Sequence, residues 1–128
     1  MASILRVNTL TDASSNNSTA MSTINQGTAK AWASWNGSGT VAFIDNFGIS
    51  SISDNGTGDY TTTLSNAMNN DDYSITATSQ ENRCIGVYYG IGTAVTTTTI
   101  RFGVNLTNGS YTNNDPSYSH MMVMGDLA

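Results

Sequence analysis

The chain has 128 residues, a formal net charge of -5 and only 10% charged side chains. Thr, Ser, Asn and Gly fill 62 positions, whereas Glu and Lys occur once each, so the composition favours strands and tight turns over helices. Four scattered basic residues exclude an electrostatic nucleic-acid interface. The lack of about 18 consecutive apolar residues excludes a membrane-spanning helix, and the single cysteine, Cys84, excludes an internal disulfide bond.

The first segment, residues 1–28, differs in character from the rest of the chain. A short apolar patch is followed by a Ser- and Asn-rich stretch with nothing to bury. Such a stretch cannot offset an ordering cost of roughly 1–2 kcal/mol per residue without a partner. We therefore expect an extended arm that orders against another subunit or a larger assembly, with a disordered tail as the alternative. The expected anchors of this docking arm are Ile4, Leu5, Val7 and Leu10.

From Thr28 onward, about eight short strand-like segments alternate with turn signals. Turns are predicted at Asn36-Gly37, at Asp45-Asn46 and within Asp54–Gly58. A single helical turn or a loop is predicted at Ser65–Asn70. This spacing predicts an all-β domain over residues 29–128, an antiparallel β-sandwich or jelly-roll-like fold. The predicted strands are Thr28–Trp35, Gly39–Ile44, Phe47–Ile52, Asp59–Ser65, Tyr73–Thr78, Arg83–Tyr89, Ala94–Asn105 and Tyr118–Met124.

Two features of these strands point to a homo-oligomer. Trp32 and Trp35 are three residues apart, so one should enter the core and the other an interface or solvent. The strands also carry many small polar residues, which leaves a thin core, and some carry apolar residues on both faces, such as Phe43 against Ile44. A monomeric sandwich exposes polar residues on its outer faces, so the excess apolar surface favours association between copies.

No catalytic or metal-binding pattern emerges from the sequence, so we expect neither enzymatic activity nor a cofactor or metal. The lone histidine, His120, lacks a Ser-His-Asp order and is interpreted as structural, although copies could meet on a symmetry axis. Cys84 is expected to be a small buried apolar residue. The acidic groups at Asp54–Asp59 and Asp71-Asp72 do not match a calcium-binding loop and are interpreted as turns.

Two aromatic and Asn-bearing segments carry the groups that sugar-binding sites use. Sugars present apolar faces to aromatic rings and hydroxyls to amide and carboxylate groups. Packing at strand ends is the plainer interpretation of these tyrosines. The candidate ligand-binding residues are Tyr88, Tyr89, Tyr111, Asn113, Asn114 and Asp115.

The stretch from Gly27 to Tyr60 contains Ala-Lys-Ala-Trp-Ala-Ser-Trp-Asn-Gly and, further on, Ser-Ile-Ser-Asp-Asn-Gly-Thr-Gly-Asp-Tyr. It resembles the C-terminal β-rich module of tail-fibre and receptor-binding proteins of tailed phages, especially phages of marine bacteria and cyanobacteria. The resemblance covers about half of the chain and transfers no binding residues. It implies fold-defining roles for Trp32, Gly37, Gly58 and Tyr60, and its aromatic position at Trp35 implies that this ring packs.

The resemblance implies a homotrimeric virion protein, made in the host cytoplasm, that contacts a polysaccharide of the host surface. Because a chain of this length cannot form a long shaft, we expect residues 1–28 to dock onto another virion structural protein. Neither nucleic-acid binding nor membrane insertion is expected. The alternatives are a capsid decoration or head-fibre protein, and a free lectin-like carbohydrate-binding module.

Overall fold

The computed structural model describes residues 3–80, 82–88, 94–107 and 112–128. Within them the fold is all-β, as predicted, with ten strands and one short helix. In chain order the elements are β1 (Thr9–Thr11), β2 (Ser18–Ala20), α1 (Met21–Gly27), β3 (Ala29–Asn36), β4 (Ala42–Phe47), β5 (Ile49–Gly56), β6 (Asp59–Leu64), β7 (Ser74–Ser79), β8 (Arg83–Val87), β9 (Thr99–Leu106) and β10 (Ser119–Met124).

Eight of these strands form a sandwich of two antiparallel sheets. One sheet has the strand order β4-β3-β10-β7, and the other has the order β5-β6-β9-β8. The inner faces share one core, in which Trp35 and Val123 of the first sheet meet Ile100 and Phe102 of the second. The β-sandwich prediction is therefore confirmed.

Strand β6 shows why the alternating pattern is informative. Tyr60, Thr62 and Leu64 are buried, and the residues between them, Thr61 and Thr63, are more exposed. Because successive strand residues point to opposite faces, three buried positions at a spacing of two define the inner face. The Tyr60 hydroxyl donates to the carboxylate of Asp115 at 2.6 Å, which ties this strand to the segment before β10.

Strand β3 corrects one expectation. Its inner face carries Ala31, Ala33 and Trp35, and Trp35 is fully buried. Trp32 points outward and is 38% exposed, so the expectation that it defines the fold is wrong. Gly37, by contrast, is fold-defining, because a Cβ at that position would lie 2.4 Å from the Tyr60 hydroxyl.

The turn between β4 and β5 lies at Gly48 and not at Asp45-Asn46. Both of those residues belong to β4, where they pair with Ser34 and Ala33. Gly48 has a positive φ of 69°, a conformation that glycine adopts without a steric penalty. The ladder with β3 therefore overrides the local turn preference of Asp and Asn.

Two further expectations change at the other sheet. Strand β9 begins at Thr99 instead of Ala94, because the Thr96 hydroxyl accepts hydrogen bonds from the amides of Thr98 and Thr99 and holds a turn there. Cys84 is exposed rather than buried. It occupies an outer position of β8, opposite Asn105 of β9.

The N-terminal segment is exposed but not uniformly extended. Strands β1 and β2 form a separate hairpin, and α1 follows directly. The hairpin turn forms because the Asp12 carboxylate accepts hydrogen bonds from the Ser14 hydroxyl, the Asn16 amide and the Asn17 side chain. Every described residue from 3 to 20 is exposed to solvent.

Candidate functional site

The outer face of the β5-β6-β9-β8 sheet contains a shallow depression with a floor of glycine. Gly86 of β8 lies directly opposite Gly103 of β9. Gly86 is exposed, with open space above it, whereas Gly103 is buried beneath the Tyr88 ring. We call this depression the glycine cleft, and Cys84, Tyr88 and Asn105 also line it. Its volume is about 330 Å³, at the small end of the range of roughly 300–1,000 Å³ for ligand pockets.

Tyr88 forms one wall of the glycine cleft. Its backbone amide donates to the carbonyl of Arg101 at 2.9 Å, which fixes the residue beside β9. Its ring lies against Gly103, since a Cβ at that position would be 2.5 Å from Cδ2 of the ring. The ring therefore requires glycine at position 103.

Arg101 and Asp59 hold the next part of the same face. The Arg101 guanidinium donates to both carboxylate oxygens of Asp59, with 2.8 Å between Nε and Oδ1. Hydrogen bonding from Arg101 lowers the pKa of Asp59, against the opposing effect of burial, and the same pair raises the pKa of Arg101. The guanidinium carbon also lies 5.2 Å from the ring centroid of Tyr88, within cation–π range. The ion pair thus positions a charged donor group beside the aromatic wall.

Asn105 borders the opposite end of the cleft, and Asn113 lies beside Asn105. Asn105 lines the cleft directly, and Asn113, which is exposed, forms an antiparallel bridge with Asn105. Directly bridged residues place their side chains on the same face of a sheet. Two of the predicted ligand-binding residues, Tyr88 and Asn113, therefore lie on one surface although 25 positions separate them in the sequence.

Asn114 and Asp115 are engaged in internal hydrogen bonds. The Asn114 side-chain oxygen accepts from Nε of Arg83 at 2.6 Å, and the Asp115 carboxylate accepts from the amide of Gly58 at 2.7 Å and from the Tyr60 hydroxyl. Burial, and secondly the bond to Asp115, raise the pKa of Tyr60. These two residues hold their segment against the sandwich. The remaining candidates, Tyr89 and Tyr111, lie outside the described residues.

The four predicted anchors of the docking arm all lie on the surface of the molecule. Ile4 and Leu5 are 75% and 80% exposed, and Val7 and Leu10 are exposed as well. None of these four side chains is involved in the hydrogen bond that links residues 1–28 to the C-terminal end, in which the Gln26 side-chain amide donates to the Asp126 carboxylate at 3.2 Å. The apolar side chains of the arm therefore remain available to a partner.

The sequence pattern does not reveal the glycine floor or the ion pair. Asp59 and Arg101 are 42 positions apart, and only the β6–β9 register brings them together. A weak signal exists, because Gly86 and Gly103 interrupt otherwise strand-like segments, and glycine within a strand often marks a close approach of a ligand or another group.

Among the residues that the structure describes, no group of three or more His, Cys, Asp or Glu side chains converges as a metal site. The same described residues contain no helix that is long and apolar enough to cross a membrane. No protein-family profile, curated protein or solved structure matches this chain.

Proposed function

We propose that this chain is a homotrimeric phage virion protein, a tail-fibre or receptor-binding tip that docks through residues 1–28 and contacts a host-surface glycan without catalysis. The resemblance of the segment from Gly27 to Tyr60 supports the virion assignment, and the exposed anchors of the arm support docking. The observation that carries the binding role is the glycine cleft, with its aromatic wall and neighbouring amide groups.

The chemistry of the glycine cleft suits a neutral or weakly charged sugar. The Tyr88 ring provides an apolar surface for the C–H face of a pyranose, and the side chains of Asn105 and Asn113 provide donors and acceptors for hydroxyl groups. The exposed Gly86 beside this ring lets the sugar approach the sheet closely. Asp59, paired with Arg101, orients that guanidinium towards the same surface.

Replacing Tyr88 with alanine is expected to weaken glycan binding at least tenfold, which corresponds to about 1.4 kcal/mol, because the stacking surface is lost. The measurement is binding to an array of purified bacterial surface polysaccharides, followed by calorimetric titration of the best ligand. Ser51→Ala is the matched control, since Ser51 lies on the outer face of the same sheet, on the far strand β5. Equal affinity of Tyr88→Ala and the unmodified protein would contradict the assignment of the cleft.

A variant that begins at Ala29 is expected to fold but to lose attachment to the virion. The arm contributes no residue to the buried core cluster, so removing it should change the free energy of unfolding by less than about 1 kcal/mol. Thermal unfolding tests the first expectation, and reconstitution with virions that lack the protein tests the second. Failure of the shortened chain to fold, or its normal incorporation into particles, would contradict the docking role.

Location on the particle separates the tail proposal from the capsid alternative. Electron microscopy of virions labelled at Ala128 would show the protein at the tail in the first case and on the head in the second. A free lectin-like module would bind glycan yet be missing from purified virions.

A further inference from the structure

Exposed apolar side chains are distributed unevenly over the two sheets. Ten large hydrophobic residues are exposed in the described part of the chain, four of them in the docking arm. Five others share the outer face of the β4-β3-β10-β7 sheet. We call these five the outer apolar face: Trp32, Ile44, Phe47, Tyr118 and Met122.

The outer face of the β5-β6-β9-β8 sheet differs in composition from the outer apolar face. Outside the glycine cleft its outer positions are polar, as shown by the neighbouring Ser53, Thr61 and Arg101 on β5, β6 and β9. Outer polar residues are what a solvated antiparallel sheet requires. Among the described residues, the β4-β3-β10-β7 sheet therefore has more exposed large hydrophobic side chains on its outer face than the other sheet.

The strand register arranges the outer apolar face in rows across the sheet. Trp32 lies on β3 between Phe47 of β4 and Met122 of β10, which are its direct partners on either side. The next row places Asp45 on the β4 side and His120 on the β10 side, with Ser34 between them. The first row thus has an apolar side chain on each half, and the second has a carboxylate on one half and an imidazole on the other. In both rows the two halves lie about 10 Å apart, because neighbouring strands are about 4.8 Å apart.

The size of the face fits an interaction surface. The outer residues of β7 are Ser74, Thr76 and Thr78, so the face occupies β4, β3 and β10. Three strands of six residues span roughly 14 Å by 20 Å, or about 290 Å². The largest apolar patch of a monomer measures about 300–600 Å² and is often functional. The outer apolar face has a carboxylate, Asp45, on one half and an imidazole, His120, on the other. A second copy of the same chain can therefore present the complementary group to each half.

We propose that copies of this chain pack with the outer apolar face towards a shared axis parallel to the strands, so that the β4 half of one copy meets the β10 half of the next. Rotation about such an axis keeps each row at its own height. Phe47 then contacts Met122 of the next copy, and Asp45 faces its His120, while Trp32 points to the axis. This arrangement rests on the proposed homotrimer and specifies its interface.

A charge exchange tests this arrangement. Asp45→His removes the carboxylate that accepts from His120 of the next copy, and His120→Asp places two carboxylates opposite each other, so each single variant should weaken self-association at least tenfold. The double variant Asp45→His/His120→Asp restores opposite groups and should return association to within threefold of the unmodified chain. Sedimentation velocity over a wide concentration range measures all three, and circular dichroism verifies that each variant is folded.

Two further variants distinguish this interface from contacts made by the opposite sheet. Trp32→Ser should shift the chain towards monomer, whereas Ser53→Asp, on the polar outer face of the other sheet, should leave association unchanged. A trimer that persists in all the single variants would overturn the interface and leave the proposed homotrimer standing. An unmodified chain that is monomeric would overturn the interface and the homotrimer together. The proposed glycan binding would not be affected by that result, because the Tyr88→Ala titration tests it separately.

Discussion

Trp35→Ala is expected to lower the free energy of unfolding by roughly 3–5 kcal/mol, the usual range for truncating a fully buried tryptophan. Trp35 has no exposed surface, and its ring lies 5.8 Å from the ring of Phe102 and 6.3 Å from that of Tyr60, measured between centroids. It therefore joins the two sheets. Because its indole nitrogen has no hydrogen-bond partner among the described residues, the loss comes from packing alone.

Trp32→Ala is the matched control for this prediction, since it removes the same side chain from the same strand. Trp32 is 38% exposed on the outer face, so its loss should cost the isolated monomer less than about 1 kcal/mol. Chemical denaturation at a low protein concentration, where self-association does not contribute, measures both variants. Similar losses for the two tryptophans would contradict the orientation of β3.

Asp115→Ala is expected to destabilise the chain by roughly 1–3 kcal/mol. It leaves the Gly58 amide without its acceptor, and it leaves the Tyr60 hydroxyl with only the longer bond to the Gly37 carbonyl at 3.2 Å. One carboxylate oxygen accepts from the Gly58 amide at 2.7 Å and from the Tyr60 hydroxyl at 2.6 Å. Tyr60 is fully buried, so water cannot replace the lost partner. The substitution should also loosen the segment that places Asn113 beside the glycine cleft.

Two controls test the hydrogen-bonding role of Asp115. Asp115→Asn keeps a side-chain oxygen acceptor and should lose less than half as much stability. Asp54→Ala removes an exposed carboxylate that accepts a local bond from the Gly56 amide, and should cost less than about 1 kcal/mol. Equal effects of Asp115→Ala and Asp54→Ala in chemical denaturation would show that the buried network contributes little.

Local alternation predicts those strands in which one face is clearly apolar. In β6 the buried series Tyr60, Thr62 and Leu64 can be identified because polar threonines separate its members. In β3 the same reasoning cannot choose a face, since each face carries a tryptophan. Burial of Trp35 follows from its aromatic neighbours in the other sheet, Tyr60 and Phe102, and this pairing is not encoded locally.

The candidate site is only partly predictable for a related reason. Residue type selects Tyr88 and Asn113, but their shared surface depends on β9, which pairs with β8 and bridges to Asn113. Register between strands distant in sequence is set by the packing of the whole sandwich. For the same reason the sequence does not predict the Asp59–Arg101 ion pair or the opposed glycines of the cleft, because their residues lie on different strands.

In the proposed assembly, copies of this chain cover one another's outer apolar face. Sedimentation equilibrium of the purified full-length chain tests it most directly. We expect a species with three times the chain mass of 13.5 kDa, reversible to monomer on dilution or on Trp32→Ser substitution. A chain that stays monomeric at every concentration reached would contradict the claim.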